Sequence, residues 1–225
     1  LRRIAETARA DGAGTVPGVI RAALKRIIGF ELQFGPFAVA QLRLLAEVAD
    51  LLKVKGTVPS DVHLRLYVTD TLGNPYADEE YIPQILKPLA ESRREANKVK
   101  RAEPITVVIG NPPYKEKAKG RGGWVEAGSA NATEAAPLAR WMPPPEWGVG
   151  AHSKHLRNLY VYFWRWATWK VFGDAAAAPQ ARADRRGIVC FITVAGFLNG
   201  PGFQAMRAYL RRTAADNGVG ECSGE

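Results

Sequence analysis

Cysteine is nearly absent from this chain: Cys190 and Cys222 are the only two in 225 residues. Two thiols at that separation match no metal spacing and are too few for a disulfide framework, so the pattern points to a reducing compartment. Histidine is scarce too, and the His152-x-x-His155 pair has no Cys or carboxylate cluster beside it, so no metal site is expected. There is no apolar run of membrane-spanning length; the best, 188–198, is too short and reads as a buried strand. A secretory leader is also missing, because the amino terminus is Leu1-Arg2-Arg3 followed by a helical pattern. The chain starts without an initiator Met, which points to a fragment or a processed chain. Acidic residues are the minority charge: 22 Asp and Glu face 31 Lys and Arg, for a net charge of +9. Such an excess favours a polyanionic partner, although it also occurs in proteins that bind none.

What is present is ordinary globular material, 47% hydrophobic and 24% charged, and long enough for one sizeable core with at most a partial second unit. Residues 1–10 read as the end of a helix, 11–18 as a Gly-containing loop and 19–26 as a short helix. Strands are predicted at 26–32, 63–69, 105–110 and 187–194. Between them, Pro36 opens an amphipathic helix with Phe37, Ala40, Leu44, Leu45, Val48 and Leu52 near one face. Residues 79–101 read as a long helix interrupted by Pro83 and Pro88, 154–172 as an aromatic-rich helix and 202–212 as a last helix. Strands alternating with helices predict an α/β layer structure with a mostly parallel sheet. The stretch 115–150, rich in Gly, Ala and Pro, reads as a long irregular insertion. No internal repeat is evident.

The most informative residues are Asn111-Pro112-Pro113-Tyr114, directly behind the apolar run 105–110. An ordinary turn closing a buried strand uses the same residue types. Against that reading, the tetrapeptide is rare at average composition and sits where a parallel strand should meet its ligand. The step resembles the catalytic signature of enzymes that methylate exocyclic amino or amide nitrogens, and the chemistry explains why those residue types suit that task. An exocyclic amino nitrogen is a poor nucleophile while its lone pair is delocalised into the ring. Acceptors on its N–H groups, here the Asn111 side-chain oxygen and a carbonyl of Pro112 or Pro113, favour a more tetrahedral nitrogen. The two prolines fix φ and remove backbone donors. Tyr114 offers a π-face on which a planar base can stack, at about 1–3 kcal/mol per base.

Other candidates are weaker. Glu31 ends the first readable strand, where an acidic group either accepts the hydroxyls of a ribose or is a solvated charge at a strand end. The downstream motif tips the balance towards the ribose. Asp70 holds the corresponding place after the second strand; it suits an adenine amino group, or the capping of a turn. Lys115 and Lys117, with Lys119 and Arg121, follow the motif closely and are candidates for phosphate contacts. The aromatic set 160–172 lies at helical spacing and reads mostly as core.

These residues together resemble the S-adenosylmethionine-dependent amino-methyltransferases, above all the DNA adenine-N6 methyltransferases whose catalytic step is Asn-Pro-Pro-Tyr. Gly29-Phe30-Glu31-Leu32 with the stretch 35–44 resembles the region after the cofactor loop in large single-polypeptide restriction-modification enzymes of the type ISP, or type I-like, group. The stretches 159–167, 187–193 and 203–207 resemble the helix, strand and helix that follow their catalytic loop. The resemblance runs from about Leu1 to Arg212.

It implies a Rossmann-like methyltransferase fold that is incomplete. The first strand with its Gly-rich cofactor loop is missing, and so are the later strands and the target-recognition domain. The missing first strand would lie between the strands ending in Glu31 and Asn111. A partial catalytic domain over 1–213 is expected, with a polar tail over 214–225. The implied activity is methyl transfer from S-adenosylmethionine to adenine N6 of double-stranded DNA. Asn111, Pro112, Pro113 and Tyr114 are the implied catalytic residues, Glu31 and Asp70 the cofactor-binding ones, and Lys115 and Lys117 the contacts to DNA. The implied setting is the bacterial cytoplasm, and the rest of the polypeptide would be a partner. Alone, these residues are expected to bind S-adenosylmethionine poorly or not at all. Two alternatives stay open: a methyltransferase of the same motif acting on RNA guanine or on a protein glutamine, and an inactive nucleic-acid-binding remnant.

Overall fold

A computed structural model describes residues 1–54, 59–77, 87–129, 135–173 and 186–216. The chain is mixed α and β, mostly helical with two small parallel sheets, and divides into two compact units.

In the first unit, α1 (Arg2–Ala10) and α2 (Val16–Leu24) precede β1 (Ile28–Glu31), α3 (Phe34–Leu51) and β2 (Arg65–Val68). The predicted loop over 11–18 is shorter than expected, because a 3-10 turn at Ala13–Thr15 leads straight into α2 at Val16. Pro17 explains this: its fixed φ and missing N–H cost nothing in the first turn of a helix. The Thr15 hydroxyl then ties α2 back to α1 by donating to the Ala8 carbonyl at 2.8 Å. The core is small and aliphatic, with Ala5, Ala8, Val16, Ile20, Leu24, Val48 and Leu51 buried. The predicted inner face of α3 is the half-buried or buried one, while Phe34, Val39 and Leu42 are exposed. β1 and β2 pair in parallel, with Glu31 opposite Val68.

The helix α4 (Lys87–Ala102) begins among the residues of the first unit and ends among those of the second. The pattern predicted a helix over 79–101; residues 79–86, with Pro83, lie outside the described residues. The second unit continues through β3 (Val107–Gly110), α5 (Gly123–Ala127), α6 (Leu159–Phe172), β4 (Ile188–Phe191), α7 (Gly196–Asn199) and α8 (Gln204–Asp216). β3 and β4 pair in parallel, with Gly110 opposite Phe191. Among the described residues the four strands form two pairs, where the sequence predicted one mostly parallel sheet. No further described strand takes up the free edges. The outer face of the β3–β4 pair carries exposed Val107, Ile109, Ile188 and Ile192. Its inner face meets α6, where Trp164 and Phe191 lie edge to face at 5.4 Å.

The predicted irregular insertion at 115–150 holds ordered structure in its described parts, 115–129 and 135–150; residues 130–134 lie outside the described ones. Gly123 opens α5 at φ 51, a left-handed backbone that suits glycine. A side chain at this position would run into the Leu72 carbonyl. The next residue, Trp124, donates its backbone N–H to that carbonyl at 2.8 Å. The 3-10 turn Pro137–Trp141 packs on α6 and α8, burying Leu138 and Trp141. Arg165 of α6, fully buried, holds this turn. Its Nε donates to the Pro137 carbonyl at 2.8 Å, and its guanidinium lies 5.8 Å from the Trp141 ring and 5.1 Å from that of Tyr209.

The aromatic helix begins at Leu159 rather than 154. The residues before it, Gly150–Arg157, form 3-10 turns, and Asn158 breaks the run with an extended backbone. The last helix runs on to Asp216; the rest of the predicted tail, 217–225 with Cys222, lies outside the described residues.

Candidate functional site

The candidate residues sit at the C-terminal ends of parallel strands, where open α/β sheets place their ligands. In the first unit, Glu31 is the last residue of β1 and Asp70 stands two residues past β2. The Glu31 carbonyl accepts the Thr69 N–H at 2.8 Å, so the two strand ends are held side by side. One carboxylate oxygen of Glu31 accepts the Gln33 N–H at 2.8 Å. Asp70 is exposed.

In the second unit the motif leaves β3 at Asn111. Pro112 is buried, while Asn111, Pro113 and Tyr114 are exposed, Tyr114 by 45%. The buried proline anchors the turn, and the residues on either side of it face solvent. The Tyr114 hydroxyl donates to Asn111 Oδ1 at 2.6 Å and lies 3.0 Å from the Ile192 carbonyl, just past β4. Ile192 is itself fixed by the ladder, its N–H donating to the Gly110 carbonyl at 3.1 Å. The next residue, Thr193, keeps a buried hydroxyl with no hydrogen-bond partner among the described residues.

The basic loop behind the motif is more ordered than its composition predicts. The Leu159 N–H donates to the Lys115 carbonyl at 2.9 Å, and the Ala118 N–H to the Arg157 carbonyl at 2.7 Å. The Lys117 N–H donates to Asn158 Oδ1 at 3.2 Å. Glu126 Oε2 accepts the N–H groups of Gly120 at 2.8 Å and Gly122 at 3.1 Å, while Arg157 lies 3.4 Å from its other oxygen. Lys117 adopts φ 51, uncommon for a residue with a side chain, and these bonds hold it there. The loop is thus a fixed platform from which Lys115, Lys117, Lys119 and Arg121 project into solvent, with no acidic partner among the described residues.

Beneath the loop, burial and the neighbouring Glu126 carboxylate push the Tyr162 phenol well above its ordinary range; burial also raises Tyr160. Of the aromatic set of α6, read from sequence mostly as core, Tyr160, Tyr162 and Trp166 are buried, while Phe163, Trp164, Trp169 and Phe172 are half-buried. The rings of His152 and His155 stand 6.4 Å apart, and His155 leans on Phe203. Among the described residues no three His, Cys, Asp or Glu side chains are grouped so as to hold a metal. No described helix is long and apolar enough to cross a membrane.

No family model and no curated relative matches the chain. Solved structures do. An ATP-dependent Type ISP restriction-modification enzyme, LlaBIII bound to DNA, matches 92% of this chain with a TM-score of 0.60 at 20% sequence identity. A DrdV–DNA complex seen by cryo-electron microscopy matches 88% with a TM-score of 0.51 at 19% identity. This chain shares the fold of a segment of each. It spans only 12% of the first protein's length and 18% of the second's.

The structure brings Asn111 and Tyr114 into contact, and sets Glu31 and Asp70 at neighbouring strand ends. Ile192, Glu126 and Asn158 join the second unit's site without having been singled out from sequence. Ile192 contributes a backbone oxygen, which leaves no signature in a sequence. Asn158 does stand directly before an apolar helical run, a pattern that marks a helix start.

Proposed function

We propose that this chain is part of a DNA adenine-N6 methyltransferase that uses S-adenosylmethionine, within a restriction-modification system. The observation that carries the reading is the exposed Asn111 side chain at the end of a parallel strand, its oxygen already serving a hydrogen-bond donor. An oxygen so placed suits a substrate amine. The likeness in fold to two proteins solved with DNA supports DNA as the partner, which we take to be double-stranded.

The residues present fit one end of the cofactor. Glu31 has one carboxylate oxygen bound to its own turn and the other without a partner among the described residues; it suits ribose hydroxyls, and Asp70 suits an adenine amino group. None of the four described strands runs into a Gly-x-Gly turn, so the amino-acid end of the cofactor must be held by other parts of the polypeptide. S-adenosylmethionine supplies an electrophilic methyl group when bound.

The chain's own residues prepare the nucleophile. Adenine turns out of the duplex at a cost of about a few kcal/mol and stacks on Tyr114. Asn111 Oδ1 accepts one N6 hydrogen, and the carbonyl of Pro112 or Pro113 the other. The nitrogen lone pair is then free for attack, and no strong general base is needed because the proton leaves once nitrogen is cationic. Lys115 and Lys117 neutralise phosphates beside the turned-out base.

The test is methyl transfer from radiolabelled S-adenosylmethionine to unmethylated DNA by the full natural polypeptide that carries these residues. Label on adenine N6 that disappears with Asn111→Ala, while DNA affinity stays near wild type, is the expected result. Turnover retained by that variant would refute the role of Asn111. Label on RNA or protein but not DNA would move the assignment to that substrate.

A further inference from the structure

We infer that the Tyr114 hydroxyl is a positioning group for Asn111, holding its amide oxygen forward until a substrate amine arrives and then turning to the Ile192 carbonyl. The inference rests on the proposed methylation of an amino nitrogen.

An asparagine amide has an oxygen and an NH2 end of nearly equal size, and only its partners decide which end faces a site. With the NH2 end forward, Asn111 would oppose an incoming amine with donors of its own. Asn111 is exposed and directly follows β3, so packing does little to fix the amide. The hydroxyl of Tyr114 does fix it, donating to Oδ1 at 2.6 Å.

A hydroxyl carries one hydrogen, yet two acceptors lie within its reach: Asn111 Oδ1 and the Ile192 carbonyl at 3.0 Å. The shorter contact is the resting bond. When an amine hydrogen takes Oδ1, rotation about the C–O bond turns the hydroxyl hydrogen to Ile192. One hydrogen bond is exchanged for another, and the ring need not move. Ile192 is a stationary acceptor because its own N–H is locked to Gly110 in the ladder. Tyr114 can therefore keep its ring available for stacking while handing Asn111 over to the substrate.

The test is steady-state methyl transfer to unmethylated plasmid DNA by the full natural polypeptide. Tyr114→Phe keeps the ring and loses the donor. Its kcat should fall about three- to tenfold, the span expected for one net hydrogen bond, with KM for DNA unchanged. Tyr114→Ala, which loses the stacking face, should raise KM instead. A Phe variant with wild-type kcat, or one whose KM rises as the Ala variant's does, overturns the inference. If Asn111→Ala is inactive while Tyr114→Phe behaves as wild type, the methyltransferase reading stands and only this inference fails. If Asn111→Ala remains active, this inference fails together with the role assigned to Asn111, while methyl transfer itself stands.

Discussion

The buried core of the first unit is aliphatic, whereas that of the second adds large aromatic side chains to its aliphatic ones. Ala5, Ala8, Val16, Ile20 and Leu24 repeat at helical spacing along α1 and α2. Trp141, Tyr162, Trp166, Phe203 and Tyr209 come from a 3-10 turn, two helices and a short turn that share no period. The contrast shows how burial can hide from a composition profile. A stretch rich in Gly, Ala and Pro looks like a linker, but one tryptophan seated over a buried arginine fastens it to the core.

The largest expected effect tests that contrast directly. Trp141→Ala should cost about 3–5 kcal/mol, as other large aromatic truncations do. Ile20→Ala, fully buried in the first unit, should cost about 2–4 kcal/mol. Equilibrium unfolding in urea measures both. If Trp141→Ala costs less than about 1 kcal/mol, the segment 137–141 is a loose cover and the insertion read from sequence was the better description.

This case also marks what could be read in advance. All four strands were predicted, because each is a short apolar run bounded by breakers, and the inner face of α3 followed from its period. The 3-10 turns over 137–157 were not predicted. The turn at Pro137–Trp141 depends on Arg165, as the basic loop before it depends on Asn158 and Glu126, partners that meet these segments only after folding. The same holds at the candidate site: Asn111 and Tyr114 are legible because their side chains define a motif, whereas the Ile192 carbonyl carries no side-chain identity.

The two units should also part at opposite ends of the pH scale. Burial raises Tyr162 and Tyr160 in the second unit, so the folded state keeps protons that the unfolded chain releases. Stability from these groups is fully present below the unfolded phenol value, about 10, and is lost as pH rises from there through the raised folded values. In the first unit, Arg2 lowers the Glu47 carboxyl through paired hydrogen bonds of 2.6 and 2.7 Å. That contribution is present above the ordinary carboxylate range and lost as pH falls, and it is small because the pair is exposed. All six tryptophans lie in the second unit, so their fluorescence follows that unit alone. The fluorescence midpoint in urea should fall above about pH 10. A midpoint unchanged up to about pH 11.5 would mean that the phenols are not held protonated by the fold.

The smallest effect concerns charge. In the first unit several surface arginines are paired, Arg3 with Glu6 at 3.1 Å and Arg21 with Asp61 at 2.9 Å. In the second unit, Lys115, Lys117, Lys119 and Arg121 stand on a clamped loop without such partners among the described residues. A cation already paired releases little on meeting a phosphate, whereas an unpaired cation on a fixed backbone displaces counterions from DNA at small entropic cost. Lys117→Gln together with Lys119→Gln should therefore lower the slope of log K for duplex DNA against log salt by about 1.8, or about 0.9 for each phosphate left without its lysine. Arg3→Gln should leave the slope unchanged. Equal changes from both would mean that DNA senses only the net charge of +9, and that the order of the loop contributes nothing to binding.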